Sequence, residues 1–211
     1  MQWLVLGLIV FLGVHSVRIV ADDWRTQTID RWGLATWKAV YSLLSLAGLA
    51  LIVVGYDLAR QAPLTLWQPP LGMRHAASLL TLIAFVLLVA AYVPGNALKA
   101  RLGHPMVLAV KLWAFAHLLA NGTLADVLLF GGFLVWAIFN YRSARRRGAA
   151  PGPNRAPADD AAADGLGDEV ATDGAPSTLA ATVATVVVGV AAWALFAFWA
   201  HGALFGVRLF G

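Results

Sequence analysis

The sequence predicts an all-α, polytopic transmembrane bundle of about six helices, with a disordered linker before the last one. Three observations lead there. Apolar residues make up 60% of the 211 positions and charged ones only 12%, far from the usage of soluble domains. Five to six apolar segments meet or approach the ~20 residues that cross a hydrocarbon core. Lysine and arginine gather at the ends of those segments and form no basic face. This last point argues against nucleic acid as a partner, despite a net charge of +4 and a pI near 9.9, and makes the lipid bilayer the main partner.

The first span, residues 2–21, follows Met1-Gln2-Trp3 without a basic n-region or a small-residue cleavage site, so it is expected to be a retained helix. Spans two and three are expected at 36–56 and 75–93. Span four, 105–121, opens on His104-Pro105, and proline is tolerated in a first helical turn. Span five, 123–141, follows after Asn121-Gly122, a turn signal, so the two are expected to form a tight antiparallel hairpin. Both are slightly short for a full crossing. From Arg142 the composition turns to Ala, Gly and Pro, with five arginines and then Asp159, Asp160, Asp164, Asp168, Glu169 and Asp173. Such a stretch buries no core and reads as a disordered cytoplasmic tether. The last span, 178–200, is rich in Ala and Val around Gly189, a pattern suited to close helix packing. The chain therefore divides into a membrane domain (1–141), a linker (142–177) and a last helix with a short tail (178–211).

The positive-inside bias orients the bundle. With the N-terminus outside, eleven cations fall on the inner side: Arg18, Arg25, Arg31, Lys38, Lys99, Arg101, Arg142, Arg145, Arg146, Arg147 and Arg155. Arg60, Arg74 and Arg208 fall outside, and Lys111 lies within span four. That asymmetry predicts that both termini face the periplasm of a bacterial inner membrane.

Chemistry has few places to reside. The absence of cysteine excludes disulfides and thiolate ligands, and no Gly-rich phosphate loop, Ser-His-Asp order or carboxylate pair is present. That leaves five histidines. Ionisable groups in apolar spans are costly and read as functional candidates, which singles out Gly103-His104-Pro105 and the segment Lys111 to Gly122 around His117. His104 and His117 are roughly 20 Å apart along one helix, so a single metal centre cannot use both. Trp113, Ala114, Ala120 and Asn121 lie within one turn of His117. The alanines would leave room for a flat macrocycle, Trp113 would line its edge, and Asn121 would support the imidazole. His117 is thus either a haem ligand or a buried hydrogen-bonding residue between helices. His15 divides the same way between ligand and interfacial group. His104 reads as a helix opener, and His75 and His201 as interfacial residues and fallback partners of His117. Lys111 snorkels or pairs with a haem propionate. Asp126 reads as a solvated or helix-N-terminal charge, and the nine tryptophans mostly as an aromatic belt. No residue is identified as catalytic, and oligomeric state is not legible.

On His15-Ser16-x-Arg18, Gly103-His104-Pro105, Lys111-Leu112-Trp113-Ala114 and Ala116-His117-Leu118-Leu119-Ala120-Asn121-Gly122, the chain resembles the NnrU family of bacterial membrane proteins. A relative of that family is the plastid and cyanobacterial 15-cis-zeta-carotene isomerase. The resemblance covers most of the membrane region. It implies a haem b with His15 and His117 as axial ligands, and cis–trans isomerisation of a polyene such as a carotenoid precursor. The isomerase branch carries a cysteine three residues before the later ligand; Ala114 stands there in this chain, which removes a thiolate switch. NnrU proteins are also associated with denitrification, which implies as an alternative a non-enzymatic haem accessory or sensor that binds nitric oxide. A more distant similarity, to isoprenylcysteine-type membrane methyltransferases with an Arg-His-Pro motif, fails at Gly103.

Overall fold

The computed structural model describes residues 1–149 and 176–207, and the described residues are helical almost throughout. The helices are α1 (Gln2–Val20), α2 (Asp22–Trp32), α3 (Leu34–Gln61), α4 (Leu71–Tyr92), α5 (Ala97–Leu102), α6 (Pro105–Ala120), α7 (Leu124–Ala149), α8 (Leu179–Leu195) and, after a π-helical turn at Phe196–Ala200, α9 (His201–Phe205). Five are long and apolar enough to cross a membrane: α1, α3, α4, α7 and the run from Leu179 to Phe205. The sixth expected span, α6, is apolar but has 16 residues, about 24 Å of helix. This is a multi-pass membrane protein.

Two helices were not expected. Asp22, Asp23, Asp30, Arg25 and Arg31 deny α2 any long apolar run, yet Trp24, Ile29 and Trp32 give it an apolar side, the pattern of a short interfacial helix. Gly33, at φ +82°, ends it in a conformation that suits glycine. Helix α5 is capped by Asn96, whose side chain accepts from the Lys99 amide at 2.8 Å and donates to the Ala90 carbonyl at 2.9 Å. A third difference concerns the linker. Helix α7 continues past Arg142 to Ala149, so the first eight residues of the expected tether are helical, and 150–175 lie outside the described residues. Arginines near a helix C-terminus complement its dipole.

The chain forms two compact units. The first is Met1–Trp67 together with the segment from Gly122, and the second holds Gln68–Asn121 and the C-terminal helices. Asn121-Gly122, expected to turn a tight hairpin, is where the chain passes from the second unit back to the first.

In the first unit α1 and α3 pack antiparallel at very close range. A Cβ on Gly7 would lie 2.6 Å from the Ile52 nitrogen, one on Gly48 would lie 2.8 Å from the Phe11 nitrogen, and one on Gly55 would overlap the backbone of Leu4. The strip beside Gln61 is pinned by backbone pairing: the Leu66 amide donates to the Gly122 carbonyl at 2.8 Å and the Leu124 amide to Leu64 at 2.9 Å. Asp126, buried, closes the start of α7. Its carboxylate accepts from the Thr123 amide at 2.9 Å, the Thr123 hydroxyl at 2.6 Å and the Tyr56 hydroxyl at 2.5 Å, while the Asp126 amide donates back to Thr123 Oγ1. This is a capping box with aspartate in the acidic position. It is an N-terminal charge, as expected, but it is withdrawn from solvent.

In the second unit α8 runs antiparallel to α4. Gly189 meets Val86, where a Cβ would lie 2.6 Å from the Val86 Cα, and the Trp193 indole donates to Thr81 Oγ1 at 3.3 Å. At the other end the Thr178 amide donates to the Gly95 carbonyl, and the Ala97 amide to Thr182 Oγ1. The close packing expected around Gly189 is present.

Candidate functional site

In the second unit α4, α6 and the C-terminal helices line a partly open cavity of about 430 Å³, within the usual range of small-molecule sites. Helix α6 contributes Ala109, Val110, Trp113, Ala116, His117, Ala120 and Asn121 to its wall, the residues of one helical face. Facing them, α4 supplies Ala77, Ala84, Phe85 and Leu88 along with Arg74, Ser78 and Thr81. The C-terminal helices add Trp193, Phe196, Ala197 and His201. Three of the four residues marked around His117 thus share one wall with it. Of the two alanines, Ala120 lines the cavity, whereas Ala114 is fully buried and Ala116 stands on the wall instead.

A backbone hydrogen bond orients the His117 ring. Its Nδ1 lies 2.8 Å from the Trp113 carbonyl one turn back. A carbonyl only accepts, so Nδ1 carries a proton, and in the neutral ring the lone pair is then on Nε2. The Trp113 ring lies 5.1 Å away, tilted by 51°. Asn121 donates at 2.9 Å to the His117 carbonyl, so it braces the last turn of α6 and not the imidazole.

His15 repeats the arrangement in the first unit. Its Nδ1 lies 2.7 Å from the Phe11 carbonyl, its ring stacks on Phe11 at 4.2 Å, and Tyr41 and Trp136 stand at 5.3 and 6.1 Å. Its Nδ1 likewise carries a proton. His15 and His117 belong to different units. His201 shares the cavity of His117, with Nδ1 2.7 Å from the Val207 carbonyl, directly after the π-helical turn; such turns are frequent at functional sites. Nothing in the sequence marked that turn, because the apolar run through Phe196–Ala200 reads as ordinary helix.

The remaining candidates separate from the cavity wall. Gly103, at φ +73°, ends α5, and buried His104 occupies the N-cap position of α6 ahead of Pro105, which gives Gly103-His104-Pro105 a helix-joining role. His75 is exposed at the start of α4, and Lys111 is half-buried in α6. Among the described residues, no three histidines or carboxylates come together to hold a metal ion.

The family model for the NnrU protein matches residues 3–209, nearly the whole chain. The chain belongs to the NnrU family. No curated protein and no solved structure matches it. For this NnrU protein the match extends across both compact units, so His15, His117 and His201 all lie within the family region.

Proposed function

We propose that this NnrU protein binds haem b through His117 in the cavity of its second unit and isomerises a polyene such as a carotenoid precursor. The observation that carries the reading is the tautomer of His117: a hydrogen bond to a backbone carbonyl orients the ring and leaves Nε2 as a donor to iron. The cavity fits the group on two further counts, its alanine-lined wall and its aromatic edges at Trp113, Trp193 and Phe196. The resemblance implies His15 as the second ligand; His201, which lines the cavity with His117, is the alternative within the second unit. When bound, haem b would supply an iron able to change oxidation state and exchange a ligand. The protein's part is to orient the His117 imidazole and to keep water from an apolar ligand. The polyene itself is carried by the resemblance, with the apolar wall from Ala84 to Leu88 as support.

The test is the spectrum of the protein purified from haem-replete cells. A Soret band of a six-coordinate, low-spin haem is expected, lost in His117→Ala and converted to five-coordinate in His15→Ala, with His75→Ala unchanged. A spectrum unaltered in His117→Ala would overturn the site. Conversion in His201→Ala with His15→Ala silent would place both ligands in the second unit. Rescue of a pigment pathway lacking its carotenoid isomerase tests the activity. Failure to rescue, with nitric oxide binding at the iron, would favour an accessory or sensor role in nitrogen-oxide metabolism.

A further inference from the structure

Arg74 projects from the first turns of α4 at one end of the cavity and lines it together with Ser78 and Thr81, at steps of four and three residues on the same face. The contacts of α8 on α4 set the level of the opposite wall. Gly189 meets Val86 and Trp193 meets Thr81, so the antiparallel register brings His201 to about the height of Arg74. The same cavity runs down α4 to Leu88, fourteen residues and about 21 Å away, past Ala84 and Phe85. One end is cationic and polar and the other is apolar.

No counter-charge for Arg74 stands among the described residues of its unit. Among the described residues, 68–121 and 176–207 contain no aspartate or glutamate, and Arg74 makes no ion pair or hydrogen bond there. Nor does orientation call for this cation, since the positive-inside bias places it on the cation-poor side. An arginine at the mouth of an apolar cavity, with a hydroxyl one turn deeper, has the donor set that grips a carboxylate.

We propose that the cavity of the second unit binds an apolar molecule through a carboxylate held by Arg74 and Ser78. Two sources offer that chemistry, a propionate of haem and the head of a fatty acid, and the proposal holds for either. The test uses the full chain in nanodiscs of neutral phosphatidylcholine, with empty nanodiscs as the blank. One arm compares cis-parinaric acid with its methyl ester by fluorescence; the other compares haem b with its dimethyl ester by absorbance. The free acid should bind about tenfold or more tightly than the ester in one arm, the scale of one charge-assisted hydrogen bond. The preference should vanish in Arg74→Met and survive in Arg74→Lys. A preference in the first arm names a fatty acid, and one in the second names a haem propionate. His117→Ala separates this inference from the haem reading, because it should leave a parinaric acid preference intact. Equal binding of acid and ester in both arms, or a preference retained in Arg74→Met, would overturn the proposal and leave Arg74 as a ligand of lipid phosphate.

Discussion

At the residue scale, what the sequence made legible lay within one helical turn. Trp113 and Asn121 could be placed beside His117 because steps of four residues share a helix face, and both line the cavity with it. Asp126 is legible at a helix start because it follows the Asn121-Gly122 turn. Its partner Tyr56 was not legible, because the two are 70 residues apart and only the packing of α3 on α7 joins them. That bond makes a prediction. Tyr56→Phe removes one of three donors to a buried carboxylate and should cost about 1–3 kcal/mol, read as a lower thermal midpoint of the purified protein. Asp126→Asn keeps an acceptor for Thr123 and should cost less than Asp126→Ala, which strips the cap as well. Equal midpoints for Asp126→Asn and Asp126→Ala would show that the capping box contributes nothing.

Helices that announce themselves by 20 apolar residues were legible in number and order, and those that do not were missed. The charges of α2 and the brevity of α5 hide them from any hydropathy window, and the arginines that end the apolar part of α7 do not end its hydrogen bonding. The glycines show where sequence stops informing. Gly189 stands out in a run of Ala and Val, but Gly7, Gly48 and Gly55 look no different from Gly13 until α1 meets α3. A side chain at Gly55 would run into the Leu4 backbone, which cannot swing aside as a rotamer can. Gly55→Val should therefore cost at least about 1–3 kcal/mol and sharply lower the yield of folded protein. Gly13→Ala, with open space around it, should be neutral or slightly stabilising through helix propensity. Similar yields and midpoints for the two variants would mean that the close approach of α1 and α3 does not hold in the membrane.

For the whole molecule the decisive question is whether α6 crosses. At about 24 Å it falls short of a hydrocarbon core of ~30 Å, a mismatch that local thinning of the bilayer can absorb. Charge argues that it does cross. With six crossings and the N-terminus outside, eleven lysines and arginines lie inside and three outside. If α6 turned back, Arg142, Arg145, Arg146, Arg147 and Arg155 would move outside and Arg208 inside, leaving seven on each side, with no asymmetry to orient the chain. The prediction concerns two fusions made in a bacterial inner membrane. Alkaline phosphatase joined after Arg147 should be inactive, because six crossings would put that junction in the cytoplasm, and phosphatase joined after Gly211 should be active. Five crossings would reverse both results. The same count bears on the cavity: α6 carries His117 and α4 carries Arg74, so an α6 that did not span would leave the wall between α4 and α6 open to water and unable to exclude it from an apolar ligand. A reversed fusion pattern would therefore remove the six-span topology and the membrane-enclosed cavity together.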